Sequence, residues 1–101
     1  LKTIGGKIMI VCSCEIEILI YESNSLKEKR QVIKSIIERI KSKFNASVAE
    51  VGYNELWNRS LIGIAVVSNN KRVCDESISK IVKFIDYDER VEILSCNKEI
   101  I

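Results

Sequence analysis

The 101-residue sequence predicts an α+β ferredoxin-like sandwich, a four-stranded antiparallel sheet with two helices on one face. Three observations carry that prediction. A long alternating segment rich in isoleucine opens the domain, two segments repeat their apolar residues at helical spacing, and three further strand-like runs fall around them in the order βαββαβ. Two right-handed β-α-β crossovers joined by an antiparallel pair make this sandwich.

Residues 1–8 are expected to be non-native or a translated leader, with a single domain spanning 9–101. Ile4-Gly5-Gly6-Lys7-Ile8 fits the translation of a bacterial ribosome-binding sequence just upstream of Met9, the only methionine. Without Lys2 and Lys7 the formal charge falls from +2 to zero.

From Met9 to Tyr21, Ile10, Cys12, Cys14, Ile16, Ile18 and Ile20 share one face, and Val11, Ser13, Glu15, Glu17 and Leu19 the other. Period two with β-branched residues predicts a half-buried strand. Glu22-Ser23-Asn24-Ser25 is a loop, and Ser25 to Glu28 fits the S-x-x-E capping box that opens a helix. That helix runs to about Phe44, with Leu26, Ile33, Ile36, Ile37, Ile40 and Phe44 on its apolar stripe. Asn45 breaks it. Ala46 to Tyr53 reads as the second strand, Asn54 to Asn58 as a loop around Trp57, and Ser60 to Val67 as the third strand. Asn69-Asn70 leads into a second helix, about Lys71 to Ile85, whose inner face carries Cys74, Ile78, Ile81, Val82 and Ile85. Tyr87-Asp88-Glu89 is a turn, and Arg90 to about Lys98 is the last strand.

Composition narrows the function. No apolar run approaches the roughly 20 residues of a membrane span, and no signal peptide is recognisable, so a cytoplasmic protein is expected. There is no histidine, the commonest general base and metal ligand, and no glycine loop that would cradle a phosphate. Closely spaced iron–sulfur cysteines are absent, and the central strands lack the stacking aromatics of RNA-recognition motifs. No catalytic residue and no cofactor is therefore expected.

Charge is segregated. Residues 26–44 hold seven basic side chains (Lys27, Lys29, Arg30, Lys34, Arg39, Lys41, Lys43) against Glu28 and Glu38, a net +5, which leaves −3 for the rest of the chain. At about 100° per residue, Lys27, Arg30, Lys34 and Lys41 form one narrow stripe beside the apolar face. Such a stripe is either a solvated face covering the core margin or a phosphate-contacting ridge, sequence-independent and salt-sensitive. Trp57 and Arg59 offer a second contact, although the only tryptophan of a small domain is expected first as a core or loop anchor.

Cys12-Ser13-Cys14, completed by Cys96, has the makings of a thiolate metal site, but buried apolar cysteines of a reduced core are the expectation, and no metal is assigned. Glu15 and Glu17, with Glu50 nearby, are read as a solvated or salt-bridged face rather than acid–base machinery. Val11, Leu19 and one face of the third strand leave apolar surface on the open side of the sheet, which points to self-association.

Three blocks, Ser25-Leu26-Lys27-Glu28-Lys29-Arg30, Asn45-Ala46-Ser47-Val48-Ala49-Glu50-Val51, and Leu56-Trp57-Asn58-Arg59 followed by Gly63, resemble the YlxP-like bacterial family, domain of unknown function 503. The resemblance spans Met9 to about Glu99 and implies a ferredoxin-like fold in a small cytosolic protein of unassigned activity. Members often lie genetically beside ribosome-binding factor A and translation initiation factor two, which implies a ribosome-related role. The chain departs from the family at Glu22-Ser23, where a proline is common, and at Gly52-Tyr53, where Asp-His often occurs.

The leading expectation is a non-enzymatic accessory domain that binds RNA or a ribosomal subunit. Lys27, Arg30, Lys34 and Lys41 would contact phosphates, with Trp57 and Arg59 as a second contact. The rival expectation is a homo-oligomeric interaction or regulatory module using the sheet face.

Overall fold

The alternation of the first strand produces its central element. In the computed structural model, which describes residues 2–4 and 7–101, this segment is the long strand to which the rest of the sheet attaches. The elements run β1 (Lys2–Ile4), β2 (Lys7–Ile20), α1 (Leu26–Lys43), β3 (Ser47–Gly52), β4 (Arg59–Ser68), α2 (Lys71–Asp86) and β5 (Val91–Ile100). Strands β3-β4-β2-β5 form one antiparallel sheet in that order. With the two helices between them in βαββαβ order, this is the ferredoxin-like fold.

Part of the expected leader adds a strand. Lys2–Ile4 pairs antiparallel with Lys7–Met9, and β2 accordingly starts two residues before Met9. Residues 1, 5 and 6 of that leader lie outside the described residues.

The even-numbered face of β2 is the floor of the core. Ile10, Cys12, Cys14, Ile16, Ile18 and Ile20 are buried with Ile62, Ile64 and Val66 of β4, Val48 of β3 and Val91 of β5. Above them lie Ile33, Ile36 and Ile40 of α1 and Cys74, Ile78, Ile81 and Ile85 of α2. Each buried isoleucine contributes on the order of 1.5–3 kcal/mol through loss of water contact, so this layer dominates stability.

The helix ends follow the sequence. Ser25 Oγ accepts from the Glu28 amide at 3.1 Å, and Glu28 Oε2 accepts in return from the Asn24 amide at 2.8 Å, one residue earlier than a standard capping box. Asn70 Oδ1 caps α2 by accepting from the Arg72 and Val73 amides. The far ends of the helices meet where Phe44 and Phe84 pack edge to face, 5.8 Å between ring centroids. Two bulges interrupt the ladders, one beside Val51 on β3 and one beside Leu94 on β5. Among the described residues no helix is long and apolar enough to cross a membrane.

Candidate nucleic-acid interface

The outward faces of α1 hold the predicted stripe. Lys27, Arg30, Lys34 and Lys41 are all exposed, and none forms an ion pair among the described residues. The helix wheel gives them a common flank of about 60°. The opposite flank is occupied: Ser35 accepts from the Arg90 guanidinium at 3.2 Å, and the Lys43 ammonium lies 5.1 Å from the centre of the Phe84 ring. The stripe therefore faces away from α2 and the turn before β5.

Lys29 does not belong with those cations. It lies on the inner stripe four residues before Ile33, fully buried. Its Nζ is 2.9 Å from Glu50 Oε2 and donates to the Tyr53 carbonyl at 2.6 Å and to the Asn54 carbonyl at 3.4 Å. Glu50 is further held by the Ser60 hydroxyl at 2.6 Å. A buried ammonium needs this paired and hydrogen-bonded setting. One of the seven helix cations is thus an internal strut. The phase of the apolar stripe, extended back one turn, was the signal for it.

The strut shapes the β3–β4 loop. Tyr53 adopts the left-handed region (φ 58°), and Lys29 grips its carbonyl. Ser23 Oγ donates to the Trp57 carbonyl at 2.6 Å, and the Ile20 amide to that of Asn58 at 2.9 Å. The backbone of this loop is pinned while its side chains stand outside: Tyr53, Leu56 and Trp57 are 45, 44 and 48% exposed. The expectation of Trp57 as a core or loop anchor is corrected. Hydrogen bonds donated to its main-chain carbonyls by Lys29, Ser23 and the Ile20 amide anchor this loop, and the indole is left accessible.

Arg59 is placed differently. It pairs with Leu19 on the open face of the sheet, where its guanidinium meets Glu17 Oε2. It is separated from the α1 stripe by the sheet itself. The carboxylates divide in the same way. Glu15 and Glu17 face outward opposite Gly63 and Leu61, whereas Glu50, opposite Ile62, faces the helices, so they form no common site.

Cys12, Cys14 and Cys74 are buried, as expected of core cysteines, but Cys96 is exposed. Among the described residues no three Cys, Asp or Glu side chains converge as metal ligands would. Burial, then the neighbouring Cys74 thiol, pushes Cys12 up to about 11. The open face carries Val11, Leu19, Leu61 and Val67, but Glu15, Glu17 and Glu99 lie among them.

The three sequence blocks converge on the loop and its supports. Ser25 caps the helix that carries Lys29, Glu50 receives Lys29, and Trp57 sits in the loop these residues hold. Gly63 lies beneath Val51, whose Cγ1 would be 2.9 Å from a Cβ added there. A family model described as "Protein of unknown function (DUF503)" matches residues 11–98. The uncharacterized protein YlxP of Bacillus subtilis (strain 168) is 41% identical over 78 residues, covering 77% of this chain and 85% of that protein.

Proposed function

The chain belongs to the DUF503 family, and from that premise we propose a non-enzymatic, cytoplasmic accessory domain that binds RNA, on a ribosomal particle, through the outward flank of α1. The observation that carries this reading is the set of four exposed cations, Lys27, Arg30, Lys34 and Lys41, that form no ion pair among the described residues. Paired residues would have to break an existing contact to reach a phosphate; these do not. The pinned loop beside the start of α1 adds an exposed indole and phenol, surfaces on which an unpaired base stacks. Arg59, held by Glu17 on the other side of the sheet, is left out of the contact.

Self-association through the sheet face has less support. The apolar residues of that face are interrupted by Glu15, Glu99 and the Glu17–Arg59 ion pair, so an interface there would have to bury charged groups.

The test is RNA affinity measured across a salt series, for the native chain and for a variant with all four stripe cations replaced by glutamine. The native log–log slope should exceed that of the variant by about 3, at roughly 0.7–0.9 per phosphate contact. Equal affinity and equal slope would end this reading. A strictly nuclease-insensitive association with a protein partner would favour the interaction-module alternative.

A further inference from the structure

We infer that Cys14 and Cys96 are a redox-active thiol pair, which a low-molecular-weight disulfide converts to an intramolecular disulfide between β2 and β5. The two Sγ atoms are 3.2 Å apart, although 82 residues separate them in sequence. A disulfide bond is about 2.05 Å long, so the sulfurs must close by about 1 Å. Cys96 sits on β5, which among the described residues pairs with β2 alone and so lies at the edge of the sheet.

Exposure assigns the order of events. Cys96 is open to solvent, whereas Cys14 is 1% exposed and meets a reagent only through Cys96. Burial, with a smaller contribution from Cys96, pushes Cys14 up to about 12, so its thiol stays protonated while Cys96 reacts. The other close thiols, Cys12 and Cys74, are both buried, and Cys74 Sγ is engaged with the Val66 carbonyl at 3.3 Å.

The exchange balances in two steps. The Cys96 thiolate attacks one sulfur of the external disulfide RSSR; a Cys96–SR bond forms, the RS–SR bond breaks, and RS⁻ leaves. Cys14 then gives its proton to that RS⁻, and its sulfur attacks Cys96 Sγ. The Cys14–Cys96 bond forms, the Cys96–SR bond breaks, and a second RS⁻ leaves with the proton Cys96 originally lost. In sum, two protein thiols are oxidised, and one RSSR is reduced to two RSH.

The experiment incubates the native chain with excess oxidised glutathione and follows intact mass, with non-reducing peptide mapping. The expected product is monomeric, lighter by two hydrogens, with Cys14 and Cys96 in one cross-linked peptide pair. Cys14→Ala should stop at one glutathionyl adduct on Cys96, and Cys96→Ser should gain neither adduct nor link. An unmodified native chain, a persistent Cys96 adduct in it, or a link between two chains overturns the inference. Because the decisive readout uses the native protein, poor folding of either variant does not obscure it.

Discussion

On a single helix, Lys29 points inward to Glu50 and the Tyr53 carbonyl, while Lys27 and Arg30, two residues before it and one after, stand in solvent with no partner among the described residues. The three are nearly interchangeable by charge, and helical phase separates them. At about 100° per residue, Lys29 falls among Ile33, Ile36 and Ile40, and the other two fall on the flank. One cation is built into the interior, and the others lie outside it. A basic helix is thus two surfaces, and only the outer one is open to a ligand.

The contrast is broken most severely at Lys29. Lys29→Met leaves Glu50 facing the helices without its cation, and unfolding free energy should fall by about 3 kcal/mol, the low end for a broken buried pair because Glu50 keeps some water contact. Urea denaturation measures this, and a loss below about 1 kcal/mol would put Lys29 in the same class as the outer cations. Next in size is Gly63 on β4: Gly63→Ala forces a methyl against Val51 of β3, with an expected cost of about 1–2 kcal/mol on the same assay.

A third perturbation sharpens the contrast through pH. Arg90 donates to both Asp88 oxygens, at 2.9 and 2.7 Å, and these hydrogen bonds hold the Asp88 carboxyl below its ordinary range despite partial burial. A carboxyl depressed on folding stabilises fully above its unfolded value and loses that stabilisation as pH falls through the folded one. Asp88→Asn should therefore cost about 1 kcal/mol at neutral pH and nothing in strong acid, flattening the acid limb of a stability–pH curve.

The smallest effects on stability belong to the outer surface. Single glutamine replacements at Lys27, Arg30, Lys34 or Lys41, and Trp57→Ala, should each stay within about 0.5 kcal/mol of the native chain. The same variants should nevertheless weaken RNA binding in filter-binding or anisotropy titrations. A large loss of stability at Trp57 would mean that the indole, rather than Ser23 and Lys29, holds the loop.

The fold was legible because its two periodicities are nearly uninterrupted. Isoleucines at every second position of β2, and at three- and four-residue spacing in α1 and α2, left one arrangement that buries them all. Glu50, read beside Glu15 and Glu17, was misplaced by that reading, although it shares parity with buried Val48 and so faces the helices. Lys29 escaped because a lysine suggests solvent, although its position did not. Exposure of Trp57 had no local signal: it depends on hydrogen bonds from Ser23 and Lys29, which come together only in three dimensions. The contact between Cys14 and Cys96 likewise required the pairing register of β2 with β5.

The bulge at Leu94 acts on β5 as a frameshift acts on a reading frame. Before it, odd-numbered residues face the helices, Val91 opposite Ile20 and Ile93 opposite Ile18; after it even-numbered residues do, Cys96 opposite Ile16 and Lys98 opposite Cys14. Had Leu94 paired with Glu17 instead of bulging out, Ser95 and Asn97 would stand on the helix side, and the Cys96 sulfur would point to the other side of the sheet. One unpaired residue thus decides whether the Cys96 thiol comes within reach of Cys14.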